Sequence, residues 1–217
     1  MKILVAMSGG VDSSVAAKLL TDAGHTCIGC TMKLYQNEDI GLSRGHTCCS
    51  LDDVQDARSA AWQLGMRHYT FNFSVEFREK VMDKFIASYR QGKTPNPCID
   101  CNRYLKFEKL FHRAEELGCD AIATGHYARI TQENGRYQLR KARDERKDQS
   151  YVLYTMTQAQ LAKTLFPLGK MEKHETRALA AEGGMQNAQK PDSQDICFVP
   201  DGDYAAAIGR LTGKAAP

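Results

Sequence analysis

Four short apolar runs along the first 125 residues predict β-strands. They are Lys2–Ala6, Cys27–Met32, Tyr69–Phe73 and Asp120–Thr124, each five or six residues long. Strands that are buried on both faces read as continuous apolar runs, which is typical of parallel sheets covered by helices.

The segments between these runs carry apolar residues at spacings of three and four, which predicts helices. The helix positions are Val11, Val15, Ala16, Leu19 and Leu20, then Val54, Ala57, Ala61 and Leu64, then Phe77, Val81, Phe85 and Tyr89, and last Phe107, Leu110, Phe111, Ala114 and Leu117. Strands that alternate with helices of this length predict an α/β fold with a doubly wound parallel sheet. Ligands bind at the carboxyl ends of the strands in such sheets. The features predicted at that edge are Ser8–Ser14, Met32, 95–101 and Gly125-His126.

The pattern changes after about residue 145. Arg136–Lys141 is compatible with an edge strand, and helices are predicted near 157–165 and 172–182. We therefore expect an α/β domain over 1–150, with a C-terminal helical extension over 151–217. Residues 35–50, with glycines and scattered polar groups, predict a loop.

Composition narrows the class of protein further. The chain has 217 residues, 42% of them hydrophobic and 25% charged, as in ordinary globular domains. Its net charge of +3 permits a nucleic-acid partner without arguing for one. With no apolar run of the ~20 residues that cross a bilayer, and no signal peptide before the first strand, we expect a cytoplasmic protein. Its eight cysteines are then candidate reactive thiols, metal ligands or buried apolar residues.

The turn after the first predicted strand reads Ser8-Gly9-Gly10-Val11-Asp12-Ser13-Ser14. Glycines let a ligand approach the peptide N–H groups, and N–H groups at a helix start bind anions such as phosphate. No lysine follows the glycines, so the turn is not the GxxxxGKS/T nucleotide loop, and it is not GxGxxG. Ser-Gly-Gly-Val-Asp-Ser resembles the PP-loop of ATP pyrophosphatases, which implies that ATP is cleaved to release pyrophosphate.

A second motif surrounds Cys101, in the stretch Thr94-Pro-Asn-Pro-Cys-Ile-Asp-Cys-Asn-Arg-Tyr-Leu-Lys-Phe107. Cys101 is predicted near the start of a helix with Arg103 and Lys106 close by, and both effects would lower the pKa of its thiol. A thiolate there would be a nucleophile. The alternative is that Cys98 and Cys101 form a Cys-x-x-Cys pair that binds zinc or forms a redox disulfide. A four-thiolate zinc site needs a second such pair. The other pair with this spacing, Cys27-Ile-Gly-Cys30, is predicted inside a strand, where its two thiols lie on opposite faces.

A third motif surrounds Cys197, in the stretch Lys190-Pro-Asp-Ser-Gln-Asp-Ile-Cys-Phe-Val-Pro200. Together the three motifs resemble the tRNA 2-thiouridylase family, which thiolates uridine 34 at the wobble position. Two further stretches match that family, Ala123-Thr-Gly-His-Tyr127 and Lys147-Asp-Gln-Ser-Tyr151. The resemblance covers about residues 1–210.

The resemblance implies a role for each matched residue. ATP would be bound by Ala6, Met7, Ser8, Gly9, Gly10, Val11, Asp12, Ser13, Met32 and Gly125. The target base would face Asn96, Pro97 and Cys98, and the tRNA would contact His126, Lys147, Asp148 and Gln149. Mg²⁺ would accompany ATP, and Asp12 is the PP-loop residue associated with it.

The resemblance also implies a mechanism with Cys101 and Cys197 as the catalytic residues. The uridine O2 attacks the α-phosphate of ATP, and a persulfide on Cys197 delivers sulfur to C2. The sulfur would come from a cysteine desulfurase or a sulfur-relay protein. Many family members carry aspartate at the position of Cys98, which leaves an alternative open: Cys98, Cys101 and Cys197 could ligate a 4Fe–4S cluster. Cys48 and Cys49 are assigned no role.

Family members continue beyond this length with β-rich domains that help grip the tRNA, so we expect this chain to bind tRNA weakly. Two other functions remain open on the sequence. One is a PP-loop sulfurtransferase or synthetase acting on another tRNA position or a small molecule. The other is an inactive nucleotide- or metal-binding module.

Overall fold

The computed structural model describes residues 1–36, 51–192, 196–199 and 201–213, with no account of the Leu51 side chain. Its main sheet has five parallel strands in the order β3-β2-β1-β4-β7. They are β1 (Lys2–Ala6), β2 (Thr26–Lys33), β3 (Arg67–Asn72), β4 (Ala121–Thr124) and β7 (Thr164–Leu165). The predicted α/β class and the parallel sheet are confirmed.

Two faces of the sheet are covered by helices. On one face Ile3, Val5 and Met7 pack with apolar residues of α1 (Val11–Asp22) and α2 (Leu51–Gln63). On the other face Leu4 and Ile122 pack against the helical segment that precedes β4. The alternation of Ile3, Leu4 and Val5 between the faces is the period-two geometry of a strand. Cys27 and Cys30 also belong to opposite faces, as predicted.

Two long helical segments contain stretches with the wider π-helical turn. The first comprises α3 (Ser74–Phe77), a π-helical stretch (Arg78–Met82) and α4 (Asp83–Arg90). The second comprises α5 (Pro97–Asp100), a π-helical stretch (Cys101–Lys109) and α6 (Leu110–Glu116). The second segment begins ten residues before the predicted Phe107, because proline fits the first helical position and Asn96 caps it.

The remaining elements follow β4. An antiparallel hairpin is formed by β5 (Arg129–Glu133) and β6 (Arg136–Arg140), where one edge strand was predicted. The helices are α7 (Gln158–Ala162), α8 (Lys173–Glu182) and α9 (Tyr204–Thr212), with single 3-10 turns at Ser150–Val152 and Pro167–Lys170. The predicted helical extension therefore also contributes β7 to the main sheet. In the described residues, no helix is long and apolar enough to span a bilayer.

The strand order places a crevice at the carboxyl ends of β1 and β4. The chain runs from β1 outwards through β2 and β3, and then returns to β4 on the other side of β1. Ala6 at the end of β1 lies opposite Thr124 at the end of β4. Such a reversal of strand order is where doubly wound sheets bind ligands.

Candidate active site

The site requires glycine at two places, one in the turn between β1 and α1 and one directly after β4. Gly9 has φ +78°, and a Cβ there would collide with the main-chain carbonyl of Asp53. Gly125 follows β4, and a Cβ there would lie 2.8 Å from the main chain of Asp12 and Ser13. The end of β4 therefore packs directly against the first turn of α1, which brings these predicted ATP-binding residues together.

The serine hydroxyls of the turn brace its own backbone. Ser13 Oγ donates to the Gly10 carbonyl (3.0 Å) and accepts from the Ser8 N–H (3.1 Å). Ser14 Oγ donates to the same Gly10 carbonyl (3.2 Å). These two hydroxyls therefore hold the shape of the loop.

The N-terminus of α1 suits an anion. Its N-cap residue is Gly10, and among the described residues no side chain caps the helix. The first-turn N–H groups of a 12-residue helix, together with its dipole, favour negative charge at this end. A triphosphate fits this set of donors.

Met32 extends the site to the next strand. It lies near the carboxyl end of β2, pairs with Phe71 of β3 and is partly buried between two apolar clusters. All the residues predicted to bind ATP thus lie along the carboxyl edge of three neighbouring strands, β2, β1 and β4.

Asp12 is at the centre of an ion-pair network that the sequence did not reveal. Lys173 Nζ lies 2.6 and 2.8 Å from the two carboxylate oxygens of Asp12, and 2.7 Å from Asp192 Oδ1. The Tyr127 hydroxyl lies 3.0 Å from Asp12 Oδ1 and 2.9 Å from Thr176 Oγ1, and burial raises the pKa of Tyr127. The carboxylate of Asp12 is the hard oxygen ligand that Mg²⁺ uses, so the residue fits the metal once Lys173 releases it.

Asn187 is a second residue that sequence reasoning missed. Its Nδ2 donates to the Gly9 carbonyl (3.0 Å) and to Ser14 Oγ (2.9 Å), so it ties the glycine turn to α1. Its buried Oδ1 has no hydrogen-bond partner among the described residues. Nothing local in the sequence signals these contacts, because 173 and 178 residues separate the partners.

Cys98 and Cys101 lie in the first two turns of the helical segment that starts at Pro97. Asn96 caps this segment by accepting from the Cys98 N–H at 3.0 Å. Cys98 is exposed, whereas Cys101 is partly buried. Burial raises the pKa of the Cys101 thiol to about 11, and the nearby charge of Lys106 only partly opposes this rise. The sequence-based expectation of a lowered pKa is therefore wrong, because desolvation outweighs the lysine and the helix start.

Cys197 reaches the same apolar cluster as Cys101. Both side chains pack against this cluster, whose members include Leu105, Phe77, Phe85 and Phe198. The Tyr35 hydroxyl donates to the Cys197 carbonyl at 2.6 Å and links this segment to the end of β2. The structure thus gathers the two predicted catalytic cysteines, which are 96 residues apart in sequence, around one cluster. The motif residues 193–195 lie outside the described residues.

The iron–sulfur alternative does not fit the geometry. Over the described parts of the chain, which include Cys98, Cys101 and Cys197, no group of three His, Cys, Asp or Glu side chains is placed to hold a metal. We therefore derive no chemistry through a cluster. Cys48 and Cys49 lie outside the described residues.

The predicted tRNA-contacting residues are largely engaged within the protein. His126 is buried, with Nδ1 2.6 Å from Thr124 Oγ1 and Nε2 3.5 Å from Lys106 Nζ, and burial and Lys106 hold its pKa well below the usual value. Gln149 Oε1 accepts from the Tyr127 N–H (3.0 Å), and Lys147 pairs with Asp192 (2.8 Å).

Asp148 closes the same loop. Its carboxylate accepts from the Ala142 N–H (2.8 Å) and from the Ser150 hydroxyl (2.7 Å). A cavity of about 500 Å³ opens beside this loop, with Arg143, Lys147 and Lys173 among its lining residues. Asp144, Glu145 and Glu172 also line it, so the cavity presents both cations and carboxylates.

The parallel sheet, the glycine turn and the uncapped helix define a protein of the PP-loop type, a class that binds ATP. Residues 1–201 match the model of the family described as the tRNA methyl transferase HUP domain, and the chain belongs to this family.

Curated relatives have a more specific name. The chain is 51% identical over 214 residues to the tRNA-specific 2-thiouridylase MnmA of Clostridium acetobutylicum, and 53% identical over 217 residues to that of Geotalea uraniireducens. These alignments cover 99% and 98% of this chain, but only 60% and 58% of the two relatives. The chain therefore spans about three fifths of the length of these relatives.

Solved structures share the fold at lower identity. A 4-thiouridine synthetase in complex with RNA and ATP has a TM-score of 0.54 at 21% identity, covering 92% of this chain and 45% of that chain. The NMN synthetase from Francisella tularensis has a TM-score of 0.53 at 18% identity, covering 100% of this chain and 78% of that chain. These similarities support the architecture, and the function rests on the site and on the closer relatives.

Proposed function

We propose that this chain carries the catalytic part of an ATP-dependent tRNA uridine 2-sulfurtransferase acting on uridine 34. One observation carries the proposal: the anion-binding turn at Gly9-Gly10 and two cysteines, Cys101 and Cys197, lie in a single fold of the PP-loop type. The name of the relatives with 51–53% identity supports uridine in tRNA as the substrate.

In the first step the turn holds ATP, and the uridine O2 attacks the α-phosphate. A bond forms between O2 and phosphorus, and the pyrophosphate leaves towards the first-turn N–H groups of α1. Bound Mg²⁺, held by Asp12, would neutralise phosphate charge. The product is an adenylated base, in which the O2 atom has become part of a good leaving group. The target base has to leave the anticodon stack to reach this crevice.

In the second step sulfur replaces the adenylated oxygen. The terminal sulfur of a Cys197 persulfide attacks C2, and AMP leaves with the former O2. The Cys101 thiolate then attacks the inner sulfur of Cys197, which releases 2-thiouridine and leaves a Cys101–Cys197 disulfide. An external thiol reductant restores both cysteines. A cysteine desulfurase or a sulfur-relay protein supplies the persulfide sulfur.

The protonation state of Cys101 sets a requirement on this mechanism. A thiol whose pKa is raised to about 11 is almost entirely protonated at neutral pH. Lys106 is the nearby cation that favours the thiolate, and it also contacts His126. We therefore propose that Lys106 assists Cys101 when substrate excludes water from the crevice.

The test is product analysis under anaerobic conditions. The chain is supplied with ATP, Mg²⁺, unmodified tRNA, a thiol reductant, and cysteine with a cysteine desulfurase as the source of persulfide sulfur, and the nucleosides are identified by mass spectrometry. We expect 2-thiouridine, and we expect it to disappear in Cys197→Ser and Cys101→Ser. Cys119→Ser is the matched control, because Cys119 precedes β4 at the opposite edge of the sheet.

Other outcomes identify the alternatives. A thiolated nucleoside at another position would transfer the proposal to a different tRNA site. Absence of any thiolated nucleoside, while ATP still binds, would contradict the sulfurtransferase proposal for this chain. Stoichiometric iron that is lost in Cys98→Ser would restore the cluster mechanism.

A further inference from the structure

Asp192 is a carboxylate shared by three cations from different parts of the chain. Lys147 Nζ lies 2.8 Å from Oδ2, while Lys173 Nζ and Arg177 Nη2 lie 2.7 and 3.0 Å from Oδ1. Lys147 belongs to the loop proposed to contact tRNA. Arg177 and Lys173 project from the same helix, α8. Asp192 itself lies five residues before Cys197 in the sequence.

Lys173 is shared in turn between two carboxylates. Its ammonium lies 2.6 Å from the nearer oxygen of Asp12 and 2.7 Å from Asp192, and its side chain is 12% exposed. The side chains of Asp12 and Asp192 are 31% and 25% exposed. Because the Lys173 end of both ion pairs is largely buried, the attraction of each carboxylate for this ammonium is less screened than between two exposed side chains. A stronger pull from Asp192 therefore weakens the hold of Lys173 on Asp12.

We propose that Lys173 and Asp192 are positioning residues that couple RNA phosphate binding at Lys147 to Mg²⁺·ATP binding at Asp12. This inference rests on the proposed function, because it takes RNA as the ligand of Lys147 and ATP as the ligand of the turn. The two ligands that are coupled are one RNA phosphate group at Lys147 and one Mg²⁺ ion at Asp12.

The sign of the coupling follows from the charges. An RNA phosphate that binds Lys147 draws this cation away from Asp192. The Asp192 carboxylate is then neutralised by one cation fewer and attracts Lys173 more strongly. Lys173 shifts its interaction from Asp12 towards Asp192, and the Asp12 carboxylate becomes available to Mg²⁺. RNA therefore strengthens Mg²⁺·ATP binding, and by reciprocity Mg²⁺·ATP strengthens RNA binding.

Substitutions at the two ends of this network have opposite expected effects. Lys147→Ala imitates capture of the lysine by RNA, so it tightens Mg²⁺·ATP binding by about fivefold, the lower end of ordinary coupling between sites. Asp192→Asn leaves Lys173 entirely to Asp12, so it weakens binding by a similar factor. In the Asp192→Asn background, the further change Lys147→Ala does not alter Mg²⁺·ATP affinity, because the carboxylate that couples Lys147 to Lys173 is absent.

The experiment is calorimetric titration of the chain with a non-hydrolysable ATP analogue. One titration contains Mg²⁺, and a separate titration contains EDTA in its place. Arg146→Ala is the matched control, since Arg146 is exposed, adjacent to Lys147, and not among the described side-chain partners of Asp192. We expect the opposite effects of Lys147→Ala and Asp192→Asn in the Mg²⁺ titration only. Asp192→Glu keeps the negative charge, so we expect it to bind Mg²⁺·ATP with the wild-type affinity, unlike Asp192→Asn.

A second titration adds an unmodified anticodon stem-loop RNA. In the wild type the RNA tightens Mg²⁺·ATP binding, and in Asp192→Asn it does not. Equal shifts in Lys147→Ala and Arg146→Ala, or independent effects of the two network substitutions, would overturn the coupling. These titrations measure binding and not turnover. A negative result for the coupling is therefore distinguishable from a failure of the chain to form 2-thiouridine, which would contradict the proposed function.

Discussion

Cys98 and Cys101 of the helical segment that starts at Pro97 differ more in environment than their three-residue spacing suggests. The sequence placed Cys101 correctly near a helix start, but it gave no measure of burial. Its neighbours in space include Leu105 and the Phe198 region, and the latter is contributed from almost 100 residues further on. Desolvation by such distant partners cannot be inferred from the local motif.

We predict that Cys101 is alkylated far more slowly than Cys98 at pH 8. With a pKa raised to about 11, only about one Cys101 in a thousand is a thiolate at that pH, whereas Cys98 is exposed to the reagent. The rate at Cys101 rises about tenfold for each pH unit up to pH 10, because the thiolate is the reacting form. Iodoacetamide labelling followed by peptide mass spectrometry measures both rates. A Cys101 rate that is already constant with pH near 8 would contradict the raised pKa.

We also predict that two glycine-to-alanine changes at the ATP turn differ in their effects. Gly125→Ala places a Cβ 2.8 Å from the main chain of Asp12 and Ser13. It therefore displaces the start of α1, lowers the free energy of unfolding by about 1–3 kcal/mol and weakens ATP binding. Gly10→Ala is the control, since its φ is −84° and the nearest atom to its Cβ is Ser8 Oγ at 3.4 Å. Urea unfolding and ATP titration measure both variants, and equal losses in the two would refute the close approach.

At the level of elements, periodicity located the central strands to within two residues. The prediction of β1 as a buried strand is confirmed, because its two end residues are partly buried and Ile3, Leu4 and Val5 are fully buried. The strand β5 was missed, since Arg129–Glu133 lies in an exposed hairpin and lacks an apolar signal. The early start of the Pro97 helix was missed because Pro-Asn-Pro reads as a break, although proline is favoured at the first helical position.

The segment around Cys197 is anchored by packing that crosses several elements. Phe198 is 1% exposed, and its ring packs edge-on against Phe77 (5.7 Å) and Phe85 (5.3 Å) of the 74–90 helical region. We predict that Phe198→Ala lowers the free energy of unfolding by about 3–5 kcal/mol and increases alkylation of Cys197. Trp62→Ala is the matched control, because Trp62 is 82% exposed and surface changes usually stay within about 0.5 kcal/mol. A loss for Phe198→Ala as small as that for Trp62→Ala would mean that the ring does not anchor this segment.

For the whole molecule, the sequence motifs predicted candidate sites but not the contacts that connect them. The residues predicted to bind ATP and the two cysteines proposed to be catalytic were predicted from local motifs. Lys173 and Asn187 follow from no local pattern, since their partners at the turn are at least 161 residues away. Asp192 lies within the motif around Cys197, but that motif does not reveal its three cations, Lys147, Lys173 and Arg177. Contacts of this kind depend on how α8 and the segment after it fold back over α1, which only the tertiary structure defines.

The last prediction concerns how much of the reaction this chain supports by itself. Every residue proposed to bind ATP lies within these 217 residues, so ATP affinity should match that of the relative from Clostridium acetobutylicum. RNA affinity depends mainly on phosphate contacts, and this chain has a net charge of +3 and spans 60% of that relative's length. We therefore expect 2-thiouridine formation to be about tenfold or more slower than in the relative at 200 mM salt, and the gap to narrow at about 50 mM salt, where phosphate contacts strengthen. The comparison uses the same tRNA, ATP, thiol reductant, and cysteine with a cysteine desulfurase for both proteins, with ATP affinity measured in parallel. Equal rates at both salt concentrations would show that this chain holds all the RNA contacts that thiolation requires, whereas a matching loss of ATP affinity would place the defect in the turn and not in RNA binding.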